Sequence, residues 1–371
     1  MNYYVPSYYK HFACKCGECR NTCCHGWPVT ITKSEYDRLK TADCEAELRK
    51  TLNEALEPIR GGSEGSYARI AHDRFGNCPM LRSDGLCGLQ LALGVDILPD
   101  VCRLYPRNTR KVCGVNECVC SDSCEGVIEL LRREKNPITM DKFTIAEAPK
   151  FTIDMKPSFF EEYHEALNCF EAGQTIENCF LRLAERFGQK PCKAGEGTAE
   201  AMRLLHAMAD YFAHSSPVAG SLCSIALLQF GVEDRESLTD FETEELAYRY
   251  AKLRAFLLQK IPDWNEWLLR LLENHMLYNS FPHVGGTNGE EDPFISLSVT
   301  AAFLDFCFCG AYAERQGEEE AVELISTLFR LIDHSDFKYR AVSFYHRYCL
   351  SVTGCWGRLI RFAELTGTES E

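Results

Sequence analysis

The chain has 371 residues, 46% hydrophobic and 25% charged, with 40 Lys and Arg against 54 Asp and Glu for a formal net charge of −14. That length builds one large domain or two of ordinary size, and that composition excludes a fibre or wholesale disorder. Residues 1–126 hold 16 basic and 16 acidic residues, so residues 127–371 hold the other 24 and 38 and the whole net charge, which argues against a nucleic-acid partner and suits either a cationic protein surface or simple solubility.

The first 13 residues are tyrosine-rich and read as extended, without the basic run and apolar block of a secretory signal. A cytoplasmic protein is expected. The stretch FACKCGECRNTCCHGW then places Cys14, Cys16, Cys19, Cys23 and Cys24 within eleven residues. So little aliphatic bulk cannot bury itself as a core segment, and the sulfurs need something to bind. After Trp27, PVTIT alternates as a short strand would. Thr32-Lys33-Ser34-Glu35 has the form of a capping box. It opens a helix expected to run to about Leu56, with Tyr36, Leu39, Leu48, Leu52 and Leu56 as its stripe, stopped by Pro58 and Gly61-Gly62. A loop with one strand at 67–71 follows.

Cys78 and Cys87 flank a Ser83-Asp84-Gly85 turn, which reads as a hairpin-like loop carrying both cysteines toward one point. A short helix at 89–93 ends near Gly94, and Pro99 and Pro106 set a compact irregular loop around Cys102. A strand-like stretch with Cys113, Cys118 and Cys120 leads to a helix opening at Ser123-Cys124-Glu125. Residues 133–157 read as a linker with one strand at 138–145. Helices are expected at 159–171, 175–188, 198–214, 219–231, 239–260, 263–280, 294–313, 317–333 and 337–350, with a second capping box at Asp263–Glu266. The Met202, Leu205, Met208 and Phe212 stripe reads as core packing. The run 294–313 is long enough to span a bilayer, but Asp305, two serines and a threonine mark it as a buried helix of a soluble bundle, so no membrane span is expected. Glu290-Glu291-Asp292 reads as a solvated loop end, and the tail from Thr366 as frayed. The expected fold is mainly α, with a loop-rich, metal-bound cysteine region at 1–132, a linker at 133–157 and a helical domain at 158–371 on which the first part packs.

Of 21 cysteines, 13 lie between Cys14 and Cys124. A chain of this size without an export signal has no need of a disulfide framework, and clustered cysteines in a reducing compartment argue for metal ligation. The eight later ones are scattered, apart from Cys307 and Cys309, and read as small buried hydrophobes. Cys16-Gly17-Glu18-Cys19 has the spacing of a zinc knuckle, but no second knuckle answers it at ribbon distance. The singlets Cys78, Cys87, Cys102 and Cys124 on separate loops suit a cluster gripped from several directions. His25 is better read as a hydrogen-bonding side chain than as a ligand. Arg103 and Arg107 beside Cys102 could donate to cluster sulfurs or a cofactor carboxyl, or equally pair with acidic neighbours.

These motifs resemble the flagellin lysine-N-methylases. The shared elements are a block of the form Cys-x4-Cys-x3-Cys-Cys-x-Gly-Trp (Cys14, Cys19, Cys23, Cys24, Gly26, Trp27), then Cys78-Pro79-Met80-Leu81 with Gly85-Leu86-Cys87. Cys102-Arg103-Leu104-Tyr105-Pro106-Arg107 and Ser123-Cys124-Glu125 complete them. The resemblance implies a protein-lysine N-methyltransferase that acts on flagellin, with S-adenosylmethionine as methyl donor and a bound 4Fe–4S cluster. It transfers Cys14, Cys19, Cys23, Cys24, Cys78, Cys87, Cys102 and Cys124 as ligand candidates, too many for one cubane, while Cys16, Cys113, Cys118 and Cys120 fall outside its pattern. No Gly-x-Gly-x-x-Gly opens a helix after a strand, and Gly26 stands where a radical S-adenosylmethionine enzyme would carry its third cysteine. The rival expectations are an iron–sulfur binding or electron-transfer module without methylase activity, and a structural zinc site.

Overall fold

The computed structural model describes residues 1–27, 29–155, 158–171, 173–188, 198–233, 235–283 and 292–348. The tail from Thr366, Glu290-Glu291, and Lys156-Pro157 at the end of the expected linker lie outside the described residues. The chain forms two compact units: Ala13–Arg107, and Met1–Phe12 with the described chain from Asn108 onward. The cut at Arg107 falls inside the stretch 1–132 that sequence groups together. Its physical reason is pairing: the strand β1 (Asn2–Pro6) runs parallel to a later strand at Val115–Cys120, so the first residues belong to the larger unit's sheet.

In the smaller unit, β2 (Val29–Ile31) precedes α1 (Lys33–Thr41) and α2 (Ala46–Ala55). Next come β3 (Leu56–Ser63), β4 (Ser66–Ile70), α3 (Gly88–Leu93) and α4 (Asp100–Leu104). The three strands pair antiparallel in the order β2-β4-β3, with Ile70 opposite both Val29 and Leu56. Val29, Ile31, Leu39, Leu52, Leu56, Ile70 and Met80 fill a core of their own. The capping box at Thr32 is present with both of its bonds. The single helix expected to reach Leu56 is instead two. Ala42 takes an extended conformation, and Arg49 of α2 reaches back to donate to the carbonyls of Leu39 (3.0 Å), Lys40 (2.8 Å) and Ala42. Those carbonyls end α1 without intrahelical partners, and a guanidinium with several donors satisfies three of them at once. Pro58 and Gly61-Gly62, expected to stop the helix, lie within β3, whose register shifts between Pro58 and Ser63.

The larger unit carries a five-stranded mixed sheet in the order β7-β1-β6-β5-β8, with β5 (Arg107–Val112), β6 (Val115–Cys120), β7 (Met140–Thr144) and β8 (Phe151–Ile153). Helix α5 (Glu125–Arg133) follows β6. All nine later helices form: α6 (Phe159–Leu167), α7 (Ile176–Arg186), α8 (Thr198–Ser215), α9 (Gly220–Phe230), α10 (Asp240–Lys260), α11 (Trp264–Asn279), α12 (Asp292–Glu314), α13 (Glu318–His334) and α14 (Phe337–Tyr348). The fold is mainly α. Met202, Leu205, Met208 and Phe212 are all core residues, as their spacing predicts. The capping box at Asp263 is a correction: its side chain makes no cap bond and instead holds Arg132 at 3.2 Å. A neighbouring cation outcompetes the backbone for that carboxylate.

Helix α12 is the centre of the larger unit, packed by α8, α9, α10, α13 and α14 and buried along its apolar span. Its one buried carboxylate is Asp305. It accepts from Trp264 Nε1 at 2.7 Å, from Arg254 Nε at 3.1 Å, and from the Tyr250 hydroxyl. A buried ion pair adds little net stability, yet removing one partner strands the other charge. Asp305→Ala is therefore expected to lower stability by about 3–5 kcal/mol, read as a fall in the urea midpoint, whereas an unchanged midpoint would show that water reaches Arg254.

Candidate metal centre

Three backbone arrangements gather the cysteine loops of the smaller unit. In the first, residues 23–27 lie against 75–78. His25 and Asn77 form an isolated antiparallel bridge, Gly26 N–H donates to Gly76 O at 2.9 Å, and Cys78 N–H donates to Cys24 O at 2.7 Å. His25 Nε2 meets Phe75 O at 3.0 Å, the hydrogen-bonding role expected of it. Trp27 Nε1 donates to Cys23 O at 3.1 Å, and its ring meets Tyr105 edge-on at 5.3 Å. The Cys23-Cys24 turn is thereby pinned beside Cys78.

In the second, the 78–87 loop closes as the expected hairpin. Gly85 N–H donates to Arg82 O and Arg82 N–H to Leu86 O, both at 3.0 Å, and Leu81 bridges Cys87, which stands at the start of α3. A Cβ on Gly17 would lie 2.6 Å from Asp84 O, and one on Gly85 (φ +77°) would lie 2.8 Å from Gly17 Cα. The first cysteine loop therefore rests backbone to backbone on the hairpin tip, an approach only paired glycines permit.

The third arrangement places Cys102. Glu35 is 7% exposed, and its Oε2 accepts from Thr32 N–H at 2.7 Å and from the Thr32 hydroxyl at 2.9 Å. Its other oxygen accepts from Asp100 N–H at 2.7 Å. One carboxylate thus closes the capping box of α1 and satisfies an orphan donor at the start of α4, the turn that carries Cys102. Arg38 adds a bond to Leu98 O at 3.0 Å. Arg103 pairs with Asp100 at 3.0 Å, the acidic-neighbour role that the sequence allowed.

The electrostatics show which sulfurs influence one another. Burial pushes the Cys78 thiol up to about 11, and the sulfurs of Cys87 and Cys23 add to the rise. Cys102 exposes part of its surface, yet its sulfur end is enclosed. Burial first, and then Cys78, Cys23, Cys87 and Glu35, drive that thiol well above its ordinary range. Cys23, Cys78, Cys87 and Cys102 are thus near enough for the thiols of Cys78 and Cys102 to feel their neighbours. Four thiols are the donor number of a tetrahedral zinc or of a cubane cluster. The donor set fits such a group.

The other candidates stand as follows. Cys14 and Cys16 are neighbours, with Cys16 N–H 3.3 Å from Cys14 Sγ, and Cys14, ahead of Glu18 and Cys23, raises the Cys16 thiol. Cys19 follows the one-turn 3-10 helix Cys16–Glu18, and Cys24 is half-buried against the small core. Cys124 is the N-cap residue of α5 in the larger unit and packs on that unit's core. The five described cysteines beyond it, Cys169, Cys179, Cys223, Cys307 and Cys309, are buried as expected. Sequence reasoning missed the Gly17–Gly85 contact and the second bond of Glu35. A glycine inside a cysteine knuckle and another in a tight turn were the only signs of the contact.

Gly17→Ala should cost about 1–3 kcal/mol through the backbone clash and reduce the metal held per chain. Urea unfolding and metal analysis check this, and wild-type metal content would mean that the hairpin is held in place by other contacts.

No family model matches the chain, and no solved structure matches it significantly. It is 28% identical over 102 residues to the lysine-N-methylases of Salmonella choleraesuis and Salmonella typhimurium, covering 28% of this chain and 25% of each relative. The same identity over 102 residues relates it to the flagellar biosynthetic protein FliU of Salmonella muenchen, where the match covers 60% of that protein. The match thus spans a quarter of the length of the lysine-N-methylases. The chain is distantly related to proteins named lysine-N-methylase.

Proposed function

We propose that the protein is a cytoplasmic protein-lysine N-methyltransferase acting on flagellin, with S-adenosylmethionine as methyl donor and an iron–sulfur cluster in the smaller unit. The observation that supports the reading is the mutual influence of Cys23, Cys78, Cys87 and Cys102 in a chain distantly related to lysine-N-methylases. Those four are the first-choice ligands. Cys14, Cys19, Cys24 and Cys124 remain proposed ligands for a further centre or as reserve thiols. A cluster there would brace the loops and supply a redox-active charge.

Methyl transfer to nitrogen requires a neutral lysine amine in line with the methyl carbon, so the protein must desolvate the ammonium and take up its proton. In the larger unit, a cleft of about 370 Å³ is lined by Glu134, Asp263, Glu266, Lys135 and Arg270, among others. It lies within the size range of ligand sites. Glu134 and Glu266 suit a cationic lysine side chain, and Lys135 suits the carboxylate of the methyl donor. A second reading, an iron–sulfur module without methylase activity, is favoured by the short span of the match to the lysine-N-methylases.

Incubating anaerobically purified protein with flagellin and methyl-labelled S-adenosylmethionine should place label in lysine. Absence of label, together with a reversible redox couple, would leave the module reading standing. Cys78→Ala and Cys87→Ala should each lose most of the bound iron and the stability coupled to it. Metal analysis and the thiolate–iron absorbance read the loss and separate iron from zinc. Glu266→Gln should raise KM for flagellin with little change in iron content; an unchanged KM would remove the cleft from the reading.

A further inference from the structure

The larger unit holds a second constellation that the methylase reading does not use. Asp122 lies in the loop between β6 and α5, His275 in α11 and Asp333 near the end of α13. One donor atom from each lies within 4.8 Å of the other two. We propose that Asp122, His275 and Asp333 bind one divalent cation of the oxygen- and imidazole-seeking kind, such as Mn²⁺.

An acidic cluster alone would not carry this. The second observation is Asp122 itself, which is fully buried and whose Oδ2 has no hydrogen-bond partner. The rest of its surroundings are arranged. Asp122 Oδ1 accepts from Asn274 Nδ2 at 2.9 Å, and that amide is fixed by a second bond to Cys120 O at 2.8 Å and by the Tyr8 hydroxyl at 2.5 Å. Asp333 Oδ2 accepts from Ser121 Oγ at 2.7 Å, and its Oδ1 lies 3.1 Å from His275 Nδ1. At that separation His275 Nδ1 and Asp333 Oδ1 can serve as adjacent donors to one cation. Asn279 steadies the same ring, with Nδ2 at 3.1 Å from His275 O and from Nδ1.

Asp122 Oδ2 and its neighbours are buried together, which favours a bonded partner for the open oxygen. His334 Nε2 meets Ser123 Oγ at 2.8 Å and Ser121 Oγ at 3.3 Å, and the charge of Arg330 is felt at His334; neither donates to Asp122 Oδ2. A cavity of about 20 Å³ adjoins His275 and Asn279 and is also lined by Ser296, Thr300 and Lys338. It has room for about one water beside His275. Mixed carboxylate and imidazole donors match Mn²⁺, Fe²⁺ or Zn²⁺ better than thiophilic metals.

The test uses the full chain, purified anaerobically with its thiol-bound metal quantified, then titrated with Mn²⁺. Loss of the free-ion electron paramagnetic resonance signal should give one Mn²⁺ per chain, with nitrogen coupling from one imidazole. Asp122→Asn should weaken binding at least about tenfold without loss of thiol-bound metal, and His275→Gln should abolish the nitrogen coupling. Cys87→Ala should leave Mn²⁺ binding intact. Absence of Mn²⁺ binding by the folded wild type overturns the proposal, as does binding unchanged in both Asp122→Asn and His275→Gln. Should Asp122→Asn fail to fold, persistence of the nitrogen coupling in His275→Gln is sufficient to overturn it.

Discussion

The smaller unit depends on the approach of three cysteine-bearing loops. Cys23, the hairpin that holds Cys78 and Cys87, and Cys102 come from three segments, and none sits in a long regular element. Burial first, and then the neighbouring sulfurs, raise the cost of ionising Cys78 and Cys102. A bound cation reverses that balance by replacing protons with bonds. The glycine contact at Gly17 and Gly85 and the shared carboxylate of Glu35 set the approach of the loops before any metal arrives. A metal held there would couple site formation to folding.

The larger unit solves a different problem. Its central helix α12 is apolar on nearly every side, and so gains stability only by being surrounded. Asp305 is the exception, and the Tyr250, Arg254 and Trp264 side chains that bond it come from α10 and α11. That polar knot fixes which helices meet at this level, since a slip of either would bury an unpaired charge. The same unit places two further buried carboxylates, Asp122 and Asp333, beside one imidazole. Both units thus contain clusters of metal-ligating groups, of soft sulfur in one and of oxygen and nitrogen in the other.

Much of this was legible in the residues. The nine late helices follow from apolar periodicity, the Cys78–Cys87 hairpin from its Ser-Asp-Gly turn, and the buried character of α12 from one aspartate and a few hydroxyls in a span of bilayer length. The failures were local competitions. The helix expected from Thr32 to Leu56 breaks because Arg49 can serve three carbonyls at the break. Asp263 looks like a cap, but Arg132, distant in sequence, claims it. Pattern reading sees neighbours along the chain and cannot weigh a partner that arrives from elsewhere.

The sequence by itself determined that cysteine clusters at the front of the chain, that helices dominate, and that the chain resembles the lysine-N-methylases, because spacing and residue type suffice for each. Only tertiary structure decided which sulfurs influence Cys102, that Glu35 holds the Cys102 turn, and that Asp122, His275 and Asp333 come together from positions more than 50 residues apart. The reason is physical: burial and proximity set the charge state of these groups, and both exist only once the chain has folded.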